Sequence, residues 1–190
     1  MKKIFMILIF LLLLVSCGKK EEKSEINYTY DIISKSVDMS AYESVSSTKH
    51  KFRLITPTEF FNCMDNKSSG VFYLGRNNCG CCQRVTRYLD EVSRELDVTI
   101  YYIDVYNEEE TLMDQDVQDK MYEYMYPILG ESEGEKTILT PQLFSVINGE
   151  FAGSQICFDD FELDPTPTEK QIEKFKDAYR KILSPFANAD

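Results

Sequence analysis

Two cysteines, Cys79 and Cys82, stand three positions apart in Asn78-Cys79-Gly80-Cys81-Cys82. A thiolate attacks disulfides and a thiol does not. At the start of a helix, unpaired backbone amides and the macrodipole favour negative charge. Such sites lower a cysteine pKa from about 8.5 into roughly the 3.5–7.5 range. A second thiol one helical turn later reaches the mixed disulfide formed by the first and releases the substrate. Cys79 is the candidate nucleophile and Cys82 the resolving thiol. Cys81, between them, is a possible third redox thiol. A permanent Cys79–Cys82 disulfide would close so small a loop that it would stabilise little. A thiolate site from Cys79, Cys81 and Cys82 would suit copper(I) or zinc. Three thiolates within one turn do not readily close a tetrahedral zinc site, and the one histidine, His50, lies in a polar stretch where it reads as a surface residue. No metal and no cofactor is expected.

The elements that would position these thiols follow from pattern. Lys51–Ile55 reads as a short strand. Thr56-Pro57-Thr58-Glu59 combines a capping threonine, a proline at the first helical position and a glutamate at the third, opening a helix to about Asn66. Val71–Leu74 is a short apolar run, a buried strand, followed by the loop Gly75-Arg76-Asn77-Asn78. A helix then begins near Cys79 or Gly80, with Val85, Tyr88, Leu89, Val92 and Leu96 at helical spacing. Arg76 reads as solvated. Val98–Ile103 is β-branched and aromatic, a central parallel strand. Asp104–Glu110 is an acidic loop. Val117, Met121, Tyr124 and Ile128 mark a further helix, and Glu131–Glu135 a second acidic loop. Leu143–Ile147 and Glu150–Ala152 flank Asn148-Gly149, the strongest short hairpin signal. Thr166-Pro167-Thr168-Glu169 opens the last helix, whose stripe is Ile172, Phe175, Tyr179 and Ile182.

The N-terminus reads as a targeting segment. Lys2 and Lys3 precede an apolar run from Ile4 to Val15, too short for an ordinary span of about 20 residues. It ends in Leu14-Val15-Ser16-Cys17, which resembles the bacterial lipobox. That resemblance implies cleavage before Cys17 and a diacylglycerol on its sulfur, enough for stable anchoring. Residues 1–16 are then a lipoprotein signal peptide, residues 17–50 a polar tether and residues 51–190 the folded domain. Tyr28, Tyr30, Ile32, Ile33, Val37 and Tyr42 within the tether add packing whose place the pattern does not give. Losing Lys2 and Lys3 takes the 21 basic residues to 19 against 32 acidic ones. So acidic a chain disfavours nucleic acid and anionic lipid as electrostatic partners.

If Cys17 carries lipid, five cysteines remain, an odd number that rules out a closed disulfide framework. Cys63 shares a helix face with Phe60 and Met64 and reads as a buried structural thiol. Cys157, after the hairpin, reads as unpaired, with Cys63 and Cys81 as alternative partners.

The order strand, helix, strand, Cys-x-x-Cys helix, strand, helix, proline, hairpin, helix resembles the thioredoxin-like superfamily over roughly Lys51–Pro185. The fold this implies is an α/β/α three-layer sandwich with a central mixed sheet. Tyr73-Leu74-Gly75-Arg76 before Cys79, with Ile100-Tyr101-Tyr102-Ile103-Asp104, is most similar to the bacteriocin-transport-accessory branch. The resemblance implies a cis peptide before Pro141, opposite the dithiol, and a Thr140 backbone that pairs with an extended substrate. Three residues depart from thioredoxins. Cys81 replaces their proline, Asn78 their tryptophan, and Tyr73 the buried acid six residues before the nucleophile.

These features make the leading expectation a membrane-tethered, extracytoplasmic thiol–disulfide oxidoreductase. Its partners would be exported proteins or peptides carrying thiols or disulfides, and a redox partner the sequence does not name. The missing acid and the acidic stretch at Glu131–Glu135 support a rival, a lipoprotein that binds a peptide or an exporter without catalysis.

Overall fold

The computed structural model describes residues 25–43, 45, 49–105, 113–157 and 167–187. The expected signal peptide, Cys17, Thr166 and residues 106–112, which include most of the expected acidic loop, lie outside them. Among the described residues no helix is long and apolar enough to cross a membrane.

Strands β1 (Lys35–Ser36), β2 (Phe52–Leu54), β3 (Gly70–Gly75), β4 (Ile100–Asp104), β7 (Gln142–Ile147) and β8 (Glu150–Ile156) form one sheet. The strands β5 (Gly130–Ser132) and β6 (Glu135–Thr137) form a separate ribbon. The large sheet runs β1-β2-β4-β3-β7-β8. β2, β4 and β3 are parallel, and β7 and β8 are antiparallel to the strand before them in the sheet. The expected central parallel strand is thus β4, held between β2 and β3.

Side chains alternate across the sheet with period 2. Val71 and Tyr73 enter one core, while Phe72 and Leu74 enter the other. Helices α2 (Gly80–Leu96) and α4 (Glu169–Leu183) cover the first face through Val85, Leu89, Val92, Phe175 and Tyr179. Helices α1 (Pro57–Asp65) and α3 (Gln115–Met125) cover the second through Phe60, Phe61, Met121 and Met125. Phe60, Phe72 and Phe144 pack ring against ring at 5.3–5.5 Å between centroids. This is the three-layer α/β/α sandwich with a mixed central sheet.

Local signals place most element ends. Thr56 caps α1 and accepts from the Glu59 amide. The reciprocal half of that box is not made, because Glu59 instead accepts from the Tyr30 hydroxyl at 2.9 Å and the Ile33 amide at 3.0 Å. The cap of α4 is Thr168, which forms a complete box with Gln171. Asp97 takes the left-handed conformation, φ 55°, to end α2. Asn148 and Gly149 carry φ 56° and 81°, the positive pair that a tight hairpin turn requires.

Two expectations are corrected. The stretch Glu131–Glu135 is not open loop: its ends pair in the β5–β6 ribbon, with Glu133 and Gly134 at φ 54° and 85° in the turn. The boundary at residue 50 also moves. Ile32, Met39, Tyr42 and Val45 are buried against the domain, and β1 pairs with β2. The described part of the expected tether is therefore packed strap, because its apolar residues find uncovered sheet and helix surface.

Candidate active site

Cys79 is the N-cap of α2, and its sulfur accepts the Cys82 amide at 3.3 Å. The loop from β3 delivers it there, and Cys82 follows one turn along the same helix. Cys79 is half-buried and Cys82 is 0% exposed. Across the cleft stands Thr140, just before β7. As a thiol, Cys79 donates to the Thr140 carbonyl oxygen, 3.7 Å away. The Thr140-Pro141 bond is cis. The structure therefore brings Cys79, Cys82, Thr140 and Pro141 together.

The two thiols are driven apart in acidity. Cys79 is lowered to about 5, first by a hydrogen bond from the Cys82 thiol, then, against the cost of partial burial, by the Cys82 amide, the Thr140 hydroxyl and the Cys81 amide. Cys82 is pushed far above its ordinary value, first because it spends its proton on the Cys79 sulfur, then by burial. One sulfur holds an anion at pH 7 and the other holds the proton.

Tyr73 is fully buried below the pair, with its hydroxyl 2.7 Å from Thr86 Oγ1. Thr86 gives its own proton to the Cys82 carbonyl at 2.6 Å, so Tyr73 must donate to Thr86. Burial holds the Tyr73 phenol well above its ordinary value. It is a structural donor there and offers Cys82 no base.

Cys81 is corrected. It forms a disulfide with Cys157, so it is not a free third thiol, and Cys157 is not unpaired. That bond also leaves only two thiols at the helix start, which removes the three-thiolate metal set. Cys63 is buried in α1, as its helix face implied, and burial pushes its thiol up to about 12. His50 is half-buried rather than solvated, 6.0 Å from Phe52 between ring centroids. Arg76 is half-buried too, and its backbone helps to stabilise charge on Cys82.

Sequence reasoning missed two neighbours. The Gln83 amide group ties the strap to the site, donating to Ala41 O at 2.8 Å and to Asn77 O. Tyr42, from the strap, lies with its hydroxyl 3.2 Å from that of Tyr102. No local pattern announces either of them. Cys157 closes the disulfide with Cys81, one of the two alternative partners its position leaves open, and Cys63 stays free. Beside Thr140 opens a cavity of about 180 Å³, lined by Leu74, Arg76, Val105, Met113, Gln118, Met121 and Ile138. A larger cavity of about 730 Å³ lies away from the dithiol, between β8 and α4, and holds no thiol.

No protein-family model matches this chain, and no curated protein matches its sequence. Among solved structures it is similar to oxidised thioredoxin O2 from Arabidopsis thaliana, at 14% identity over 75% of this chain and 100% of that one, TM-score 0.42. It is similar also to thioredoxin from Trypanosoma brucei brucei, at 12% identity over 74% and 99% of the two chains, TM-score 0.42. Thioredoxin f from spinach chloroplast gives 14% identity over 70% and 98%, TM-score 0.38. Scores this low leave the assignment to the chain path itself: β2-β4-β3 parallel, then β7 and β8 antiparallel, with the dithiol opening the helix after β3. By that path this chain is a thioredoxin-fold protein, distantly similar to the thioredoxins.

Proposed function

We propose that this chain is a membrane-tethered, extracytoplasmic thiol–disulfide oxidoreductase that exchanges disulfides with exported proteins or peptides. One observation carries the reading. The Cys79 sulfur sits at the start of α2 with donors around it, Cys82 one turn away, and Thr140 facing both. The Leu14-Val15-Ser16-Cys17 sequence supports the tether.

The acidity of Cys79 favours one direction. A thiolate held at about 5 stabilises the reduced pair, which makes the oxidised pair the stronger oxidant. A substrate thiolate attacks Cys79 in the Cys79–Cys82 disulfide, and Cys82 leaves and takes a proton. The second substrate thiolate attacks the mixed disulfide and Cys79 leaves as the stable anion. The substrate loses two electrons and the pair gains them. An unnamed redox partner then reoxidises the pair. In the reverse direction Cys82 must surrender a proton that no base at Tyr73 receives, so reduction of substrates is slow.

Cys79→Ser abolishes refolding of a scrambled disulfide substrate. Unchanged activity in that variant overturns the reading. Equilibration with glutathione places the pair nearer about −120 mV than about −270 mV. Cys17→Ser moves the protein out of the membrane fraction, and a variant that stays there refutes the tether.

A further inference from the structure

Cys81 is the second residue of α2, between the two exchange thiols. Its partner Cys157 lies 76 positions away in sequence, one residue beyond the end of β8. The β7–β8 ladder ends at the pair Gln142–Ile156. Past it, the Cys157 amide donates to the Pro141 carbonyl at 3.3 Å. Pro141 follows Thr140, whose carbonyl lies 3.7 Å from the Cys79 sulfur. These contacts close a ring: Cys79, two residues along α2 to Cys81, across the disulfide to Cys157, across a hydrogen bond to Pro141, then back through Thr140 to Cys79. Both the nucleophile and the Thr140-Pro141 segment facing it lie on that ring, and one covalent bond, Cys81–Cys157, joins its two halves.

We infer that the Cys81–Cys157 disulfide is the positioning element of the site, clamping the Thr140-Pro141 wall against the first turn of the dithiol helix. The inference rests on the exchange reading above and deepens it. The clamp reacts with no substrate. It sets how closely Thr140 approaches the Cys79 sulfur, with the carbonyl oxygen 3.7 Å away and the hydroxyl favouring the thiolate. The remaining donors to that sulfur, the Cys82 thiol and the Cys81 and Cys82 amides, belong to α2 itself and stay with it. Opening the clamp therefore removes one donor of several, and loosens the wall against which an extended substrate would pair.

The test is the double variant Cys81→Ser with Cys157→Ser, which keeps both backbone amides. Thiolate absorbance is titrated from pH 4 to 9 in the variant and in wild type, both with Cys79 and Cys82 as free thiols and the wild type with its Cys81–Cys157 bond shown intact by mass. The expected result is a Cys79 midpoint displaced upward, so that the thiolate-to-thiol ratio at a given acid pH falls about tenfold, as for loss of one hydrogen bond to an ion. A titration that superimposes on the wild type overturns the inference. A bond that merely held the fold would lower thermal stability without moving that midpoint. If the double variant does not fold, the wild-type protein is partly reduced with dithiothreitol, which supplies two electrons and two protons and closes to its own cyclic disulfide. Species with and without the Cys81–Cys157 bond are resolved by mass after Cys79 alkylation at a series of pH values. Different profiles support the clamp and identical ones overturn it. Neither readout needs turnover, so loss of the clamp inference leaves the Cys79→Ser test of exchange untouched.

Discussion

Cys79 caps the start of one helix and Cys63 lies within another, and they have opposite chemistry. Cys79 caps α2, where its sulfur meets three donors from its own helix and one from Thr140, and is lowered to about 5. Cys63 lies in the last turns of α1 among Phe60, Phe61 and Phe72, where burial pushes it up to about 12. The residue type is the same. What differs is whether the sulfur faces unpaired amides at a helix start or apolar side chains past its middle.

The largest expected difference is in reactivity. At pH 7 the thiolate fractions differ by about 10⁵, and the higher nucleophilicity of the more basic thiolate returns about 10³ of that. Iodoacetamide should label Cys79 at least about 100-fold faster than Cys63, as read by mass mapping; comparable rates would break the comparison. Next, Cys82→Ala removes the leading donor to Cys79. Thiolate absorbance should show the Cys79 midpoint rising, with the thiolate ratio falling about tenfold or more.

The pH dependence of stability should carry opposite signs at the two sites. Cys79 has a depressed folded pKa, so the stability it contributes to the reduced protein is full above about 8.5 and is lost as pH falls through about 5. Cys63 has a raised one, so its contribution declines as pH rises from about 8.5 toward 12. Urea midpoints of reduced wild type and Cys79→Ser should converge as pH falls from 8.5 to 5. A gap that is constant with pH would contradict the thiolate assignment. The smallest effect is that of Cys63→Ala, a loss of about 1 kcal/mol in denaturant unfolding with substrate refolding unchanged.

Much of the frame was legible in residue order. The spacing of Cys79 and Cys82, the capping threonine before Pro57 and the Asn148-Gly149 turn are each decided within a few residues, where backbone geometry and local hydrogen bonds dominate. The periodic stripe Val85, Tyr88, Leu89, Val92 likewise marks its helix without knowledge of what covers it. Partial readings failed where a distant group competed. Glu59 has the right position for a capping box, but the strap segment offers its carboxylate two better donors. The polar composition of residues 25–45 hid where Ile32 and Tyr42 pack, and gave no sign that Met39 and Val45 enter the core beside Tyr42.

What the sequence determined by itself is therefore the dithiol, its helix and the strand-and-helix order that presents it, because those depend on contacts within one turn or one hairpin. The tertiary structure alone decided which cysteine meets Cys157, that Gln83 reaches the strap at Ala41, and that the strap is part of the domain. Those depend on where strands end and which faces remain open once the sheet has formed, and residues 76 apart in the chain carry no local trace of that meeting.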